Sequence, residues 1–256
     1  LNITGTNGKD TLDATGATDV ITFVAGGGAD VVTITGSAAD VLTMGAGNDT
    51  VTDTAGGADV VDLGAGDDTL TDAGAGADVI TAGNGADKIY GNDGADAIDL
   101  SETDSAVDII RYNDQDEGSA VGVAAGTFSG FDVITGFEVG SDILLFDEET
   151  DFDLTGVTAW IASGKNTVVT SDDAATDSKD LSAGDHTDVD KVVDFINDSA
   201  SFTNATAATL ELLAVTFADL TAVYLIDSAD AAIIAGEVQL LGTVDAVLTA
   251  TELDIA

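Results

Sequence analysis

An aspartate followed two residues later by an aliphatic side chain recurs ten times in the first hundred residues. The aspartates are Asp10, Asp19, Asp30, Asp40, Asp49, Asp59, Asp68, Asp78, Asp87 and Asp96, at intervals of 9, 11, 10, 9, 10, 9, 10, 9 and 9 residues. Their partners are Leu12, Ile21, Val32, Leu42, Val51, Val61, Leu70, Ile80, Ile89 and Ile98, and Thr, Asp or Tyr follows each one. Gly stands two before the aspartate in eight of the ten units, with Ala17 and Ala38 as the exceptions. Each unit reads as a loop and a very short strand. The aliphatic residue points inward and its neighbour outward, as strand alternation requires. One unit cannot bury its own apolar side chain, so the units must stack into a solenoid.

The intervals alternate, so two units make one rung of about 19 residues and alternate aspartates lie above one another. One edge carries Asp10, Asp30, Asp49, Asp68 and Asp87; the other carries Asp19, Asp40, Asp59, Asp78 and Asp96. Stacked carboxylates in adjacent rungs repel one another unless a cation lies between them.

The loops read GTNGKD, AGGGAD, MGAGND, LGAGDD and AGNGAD on the first edge, and ATGATD, TGSAAD, TAGGAD, AGAGAD and GNDGAD on the second. They resemble the RTX (repeats-in-toxin, hemolysin-type) nonapeptide G-G-x-G-x-D-x-U-x, although the first Gly is often missing. The resemblance implies an all-β fold, a right-handed parallel β-roll. It also implies Ca²⁺ ions between successive loops of one edge, held by an Asp from each loop and by loop carbonyls. The first edge then offers four sites: Asp10/Asp30, Asp30/Asp49, Asp49/Asp68 and Asp68/Asp87. The second offers Asp59/Asp78 and Asp78/Asp96, making six, with Asp19/Asp40 and Asp40/Asp59 as two degraded positions. The loop glycines expected to supply backbone to the ions are Gly8, Gly28, Gly47, Gly66, Gly85, Gly57, Gly76 and Gly94, with Gly45, Gly64, Gly83 and Gly74.

The charge balance agrees with a cation as partner. The chain carries 48 acidic residues against 6 Lys plus Arg, a formal net charge of −42. A nucleic-acid binder needs a basic patch to displace counterions, and none can be assembled from six cations. Of the acids, 40 are Asp and 8 are Glu, which favours turns and metal loops over helix surfaces. Yet 45% of the residues are hydrophobic, too many for an acidic disordered chain. A core can form once the charge is neutralised, which predicts folding coupled to cation binding. There is no Cys, and the single His is His186, so thiolate sites and a zinc protease H-E-x-x-H are excluded. No G-x-S-x-G elbow occurs, and nothing singles out one acid pair among 48 for glycoside hydrolysis. The expectation is a protein that is not an enzyme. No apolar run reaches the roughly 18 residues of a membrane span.

The chain divides into a roll over 1–100, the end of the roll and a cap over 101–150, and a β-rich region over 151–256. The segment FDVITGFEVGSDILLF, residues 131–146, resembles the closing segment after many RTX arrays and reads as two strands separated by GFEVGSD. Asn113, Asp114, Asp116 and Glu117 form an acidic cluster open to either an extra Ca²⁺ or a solvated loop. Trp160 reads as core, His186 as a loop residue, and Val189, Val192, Val193 and Ile196 recur at helical spacing. AVYLIDSADAAIIAG reads as strand, turn and strand; VQLLGTV and the terminal AVLTATELDIA follow. This end resembles that of RTX proteins exported by type I secretion, whose uncleaved signal is C-terminal. The chain lacks an ordinary N-terminal signal and begins at Leu1, as a processed or partial form would. The resulting expectation is an extracellular, bacterial surface Ca²⁺ protein. Its partners are calcium, the type I secretion machinery and copies of itself in a surface layer, filament or matrix. The alternative is the export and folding module of a larger RTX toxin, enzyme or adhesin. Ice binding would need regular outward Thr or Asn rows, which the loops lack.

Overall fold

A computed structural model describes residues 1–54, 56–72, 74, 76–112, 130–146, 168–170, 187, 209–216, 220–228, 238–246, 248 and 253–255. The repeat region opens with β1 (Asn2–Thr4), β2 (Thr11–Ala14), β3 (Thr22–Gly27), β4 (Val31–Ile34), β5 (Val41–Ala46), β6 (Thr50–Asp53) and β7 (Val60–Ala65). It goes on with β8 (Thr69–Asp72), β9 (Val79–Asn84), β10 (Lys88–Tyr90), β11 (Ala97–Asp99), β12 (Ile109–Tyr112), β13 (Asp132–Thr135) and β14 (Ile143–Phe146). Odd strands build one sheet and even strands the other, all in parallel. The chain is an all-β parallel solenoid, with no helix among the described residues.

The rung length is visible in the register: Val41 pairs with Val60 and Val60 with Val79, 19 residues on each time. The aliphatic residue of each unit from Ile21 to Ile98 is buried in a continuous core, while Leu12 in the first rung is only partly covered. A second inward position adds Ile34, Met44 and Leu63 on β4, β5 and β7, and Leu100 just past β11. Outward positions carry Thr or exposed Val, including Val41, Val60, Val79 and Val133.

The ladders run on where the regular spacing stops. Residues 131–146 form the two expected strands, β13 and β14, with GFEVGSD between them, and they stack on β11 and β12. Tyr112 and Phe146, in register, stack their rings 5.3 Å apart. Beyond this rung the C-terminal region supplies β15 (Val168–Thr170), β16 (Thr209–Thr216), β17 (Thr221–Ser228), β18 (Val238–Val244) and β19 (Leu253–Ile255). VQLLGTV is β18, which pairs parallel with β13, and β19 pairs parallel with β14. Strands β17 and β16 then extend the first sheet in antiparallel fashion, with β15 at its margin. Trp160, His186, the 113–117 acidic cluster and the 189–196 pattern lie outside the described residues.

Candidate metal centre: two aspartate ladders

Each loop brings its aspartate to the end of a strand, and successive rungs place these side chains in line. On the first edge the backbone N–H of Asp10 donates to Oδ1 of Asp30 at 2.6 Å. The same bond joins Asp30 to Asp49 at 2.6 Å, Asp49 to Asp68 at 2.7 Å, and Asp68 to Asp87 at 2.8 Å. It continues from Asp87 to Asp108 at 2.9 Å and from Asp108 to Asp142 at 3.0 Å. On the second edge Asp40 N–H donates to Asp59 at 2.6 Å, Asp59 to Asp78 at 2.6 Å, Asp78 to Asp96 at 2.9 Å and Asp96 to Asp132 at 3.0 Å. A peptide N–H thus satisfies one oxygen of each interior carboxylate.

The other oxygen is left over. Oδ2 of Asp30, Asp49, Asp68, Asp87 and Asp108 on the first edge, and of Asp59 and Asp78 on the second, is buried without a hydrogen-bond partner. At the two ends of the first ladder the corresponding atom is paired: Asp10 Oδ2 accepts from Thr6 N–H at 2.6 Å, and Asp142 Oδ2 accepts from Glu138 N–H at 2.7 Å. Lys9 and Lys88 are exposed, and Arg111 lies over the Tyr90 ring. Burial, more than any single neighbour, pushes Asp59, Asp68 and Asp108 up to about 7 and Asp87 to about 6. Adjacent ladder carboxylates add to the rise at Asp59, Asp68 and Asp108. Burial also raises Asp49 and Asp142, and Asp132 to about 7. Carboxylates in this condition are neutralised either by a proton or by a cation beside them.

The backbone of the loops comes close enough to share such a charge. Gly47 has φ of +128°, and a Cβ there would meet the carbonyl oxygen of Gly28 in the rung before. Gly66 and Gly85 repeat this arrangement, as do Gly45, Gly64 and Gly83 two residues earlier in their loops. On the second edge a Cβ at Gly57, Gly76 or Gly94 would likewise meet the carbonyl oxygen of Ala38, Gly57 or Gly76 in the rung before, here without a positive φ. At Gly76 a Cβ would lie 2.6 Å from Oδ1 of its own Asp78, so the glycine makes room for the carboxylate. Gly57 and Gly94 have the same relation to Asp59 and Asp96. Gly8, in the first loop, is open, with Thr6 Oγ1 at 4.0 Å from such a Cβ. Gly74 is buried.

Residues 22–51, 34–70 and 72–102 match the family model of the RTX calcium-binding nonapeptide repeat, described as four copies. The N-terminal region carries RTX calcium-binding repeats. None of the curated proteins matches the chain. The orphaned oxygens fit calcium, a hard cation that takes carboxylate and carbonyl oxygens in flexible numbers.

The structure places one predicted residue away from the RTX ladders. Asp19 is exposed, and the N–H that donates to Asp40 Oδ1, at 2.7 Å, belongs to Ile21. Phe23, not Ile21, is in register with Leu42. The frame is shifted by two residues: Ile21 precedes Asp40 by 19, the rung length, whereas Asp19 precedes it by 21. Three ladder residues lie beyond the regular array: Asp108, Asp132 and Asp142, each 3% exposed or less. Each keeps the aspartate–x–aliphatic signature, with Ile110, Ile134 and Leu144, but their intervals are irregular. Asp53, at the end of β6 and not a member of either ladder, has no repeat signature. It lies with Asp40 and Asp59, all three buried.

Proposed function

We propose that this is a secreted calcium-binding structural protein that folds when it meets extracellular Ca²⁺ and then assembles with copies of itself. The observation that carries the reading is the pair of continuous ladders, with a buried carboxylate oxygen that has no hydrogen-bond partner on Asp30, Asp49, Asp68, Asp87 and Asp108 of one and on Asp59 and Asp78 of the other. The ions would be held by Asp10, Asp30, Asp49, Asp68 and Asp87 on one edge, extended by Asp108 and Asp142. On the other they would be held by Asp40, Asp59, Asp78 and Asp96, extended by Asp132. Calcium supplies positive charge between rungs; the chain supplies stacked carboxylates and close backbone. Extracellular calcium modules bind at about 10⁻⁴–10⁻³ M, so such a chain stays unfolded at cytosolic calcium and folds outside. No catalytic role is part of this reading.

Two surfaces support assembly. Strands β1 and β2 have one unpaired edge each among the described residues, and Ile3 and Leu12 of that rung are only partly buried. Open parallel edges over partly covered apolar side chains favour end-to-end stacking. The register also aligns exposed Val41, Val60 and Val79 on the outer face. The same open rung favours a second reading, in which a preceding segment of a longer RTX protein sits there and this chain is its export and folding module. Negative-stain electron microscopy of the purified chain with millimolar Ca²⁺ and with chelator separates the two. Sheets or filaments that form only with Ca²⁺ are expected; folded, dispersed monomers would overturn assembly and favour the module.

A further inference from the structure

Asp53 stands in the strand position that an apolar side chain fills on the neighbouring β4. It closes β6, and its register partner on β4 is Ile34, a fully buried core residue. Asp53 is itself 4% exposed. One oxygen each from Asp40, Asp53 and Asp59 falls within 4.8 Å of the others. Asp40 and Asp59 are consecutive members of the second ladder and are 1% and 3% exposed. Oδ1 of Asp59 accepts the Asp40 N–H, while Oδ2 is buried with no hydrogen-bond partner.

We propose that Asp40, Asp53 and Asp59 form a three-carboxylate site for a divalent cation, with Asp53 as a ligand that the nonapeptide pattern does not supply. The inference rests on the reading of the ladders as calcium sites and adds a residue to one of them. Ligand charge count tunes calcium affinity, so a third carboxylate strengthens a weak site. This site needs it: the loop before Asp40 has Ala38 where the other loops of the described ladder have Gly. Three hard oxygens from separate chain segments suit Ca²⁺ better than Mg²⁺, which demands tighter octahedral geometry. Asp72 precedes Asp78 by six residues, as Asp53 precedes Asp59, and Asp72 is in register with Asp53.

The test counts calcium ions on the full chain by native mass spectrometry and measures their affinities by isothermal titration calorimetry. Wild type, Asp53→Asn and Asp53→Ile are compared, with far-UV circular dichroism in saturating calcium reporting the fold. Both variants are expected to fold, and to carry one ion fewer or hold one ion at least about ten-fold more weakly. Asp53→Ile matches Ile34, its register partner on β4, and keeps the test valid if the Asn variant does not fold. Unchanged ion count and affinities in a folded variant overturn the proposal. So does failure of both variants to fold in calcium, because that gives Asp53 a structural role independent of the ion. A wild-type chain that binds no calcium overturns the underlying calcium reading instead.

Discussion

An interior ladder aspartate serves two rungs at once. Asp68 accepts the N–H of Asp49 through Oδ1 and donates its own N–H to Asp87. Its remaining oxygen faces no protein partner. Asp68→Ala is expected to remove two ions, since the carboxylate is shared between two inter-loop sites, and to leave the Asp49 N–H unpaired at a cost of about 1–3 kcal/mol. Native mass spectrometry reads the first effect; calcium-dependent melting reads the second. Asp68→Asn keeps an acceptor for Asp49 and is expected to lose the ions with a smaller loss of stability.

The same carboxylates set a pH dependence. Asp59, Asp68 and Asp108 are pushed up to about 7 and Asp87 to about 6, chiefly by burial, against about 3.9 in an unfolded chain. Between pH about 4 and 7 the folded state therefore binds more protons than the unfolded state, and its stability falls as pH rises through that window. In chelator, the chain is expected to gain β structure as pH is lowered from 8 to 5, read by circular dichroism. Calcium competes with those protons, so its affinity is expected to fall over the same interval. Greater β content in chelator at pH 8 than at pH 5 would contradict this. At this scale the ladder aspartates were readable because each one is followed by an inward aliphatic. Asp53 was not, because an aspartate in an inward strand position looks like any polar residue until the register is known.

The element of this fold is the rung, and its tolerance is set by how closely loops approach. Gly47→Ala requires a Cβ against the Gly28 carbonyl at a φ of +128°. Backbone cannot move aside as a side-chain end can, so the substitution should cost more than the ~1–3 kcal/mol of conformational strain alone. Circular dichroism at saturating calcium is expected to show loss of the roll around that loop. Leu63→Ala, in the core between the sheets, should cost about 2–5 kcal/mol in thermal or denaturant unfolding while leaving the ion count unchanged. Rungs with regular spacing were legible from sequence. The rungs at β12, β13 and β14 kept their signature but lost their spacing, because longer connections enter between them. The first second-edge unit was misframed because Asp19 and Ile21 each fit one half of the pattern; the 19-residue rung chooses Ile21.

For the whole molecule, the sheets join the repeat array to the far end of the chain. Deleting residues 238–256 removes β18 and β19, the strands that cover the rung of Ile134 and Leu144. The truncated chain is expected to need more calcium to fold than the full chain, in a circular dichroism titration. Export is tested separately, by fusing residues 209–256 to a passenger so that the roll's own folding is not involved. The pairing of a C-terminal strand with β13 across 110 positions, Val133 with Thr243, leaves no periodic trace in the sequence. Long-range register of this kind is set by tertiary packing, not by local pattern. The central claim is that calcium holds the ladders together. It is tested most directly by titrating Ca²⁺ into the full chain at pH 7.5 while following far-UV circular dichroism and small-angle X-ray scattering. The account predicts an expanded, unstructured chain in chelator and a cooperative collapse to β structure by millimolar Ca²⁺, with Mg²⁺ unable to substitute. The same compact β structure in chelator and in calcium would contradict it.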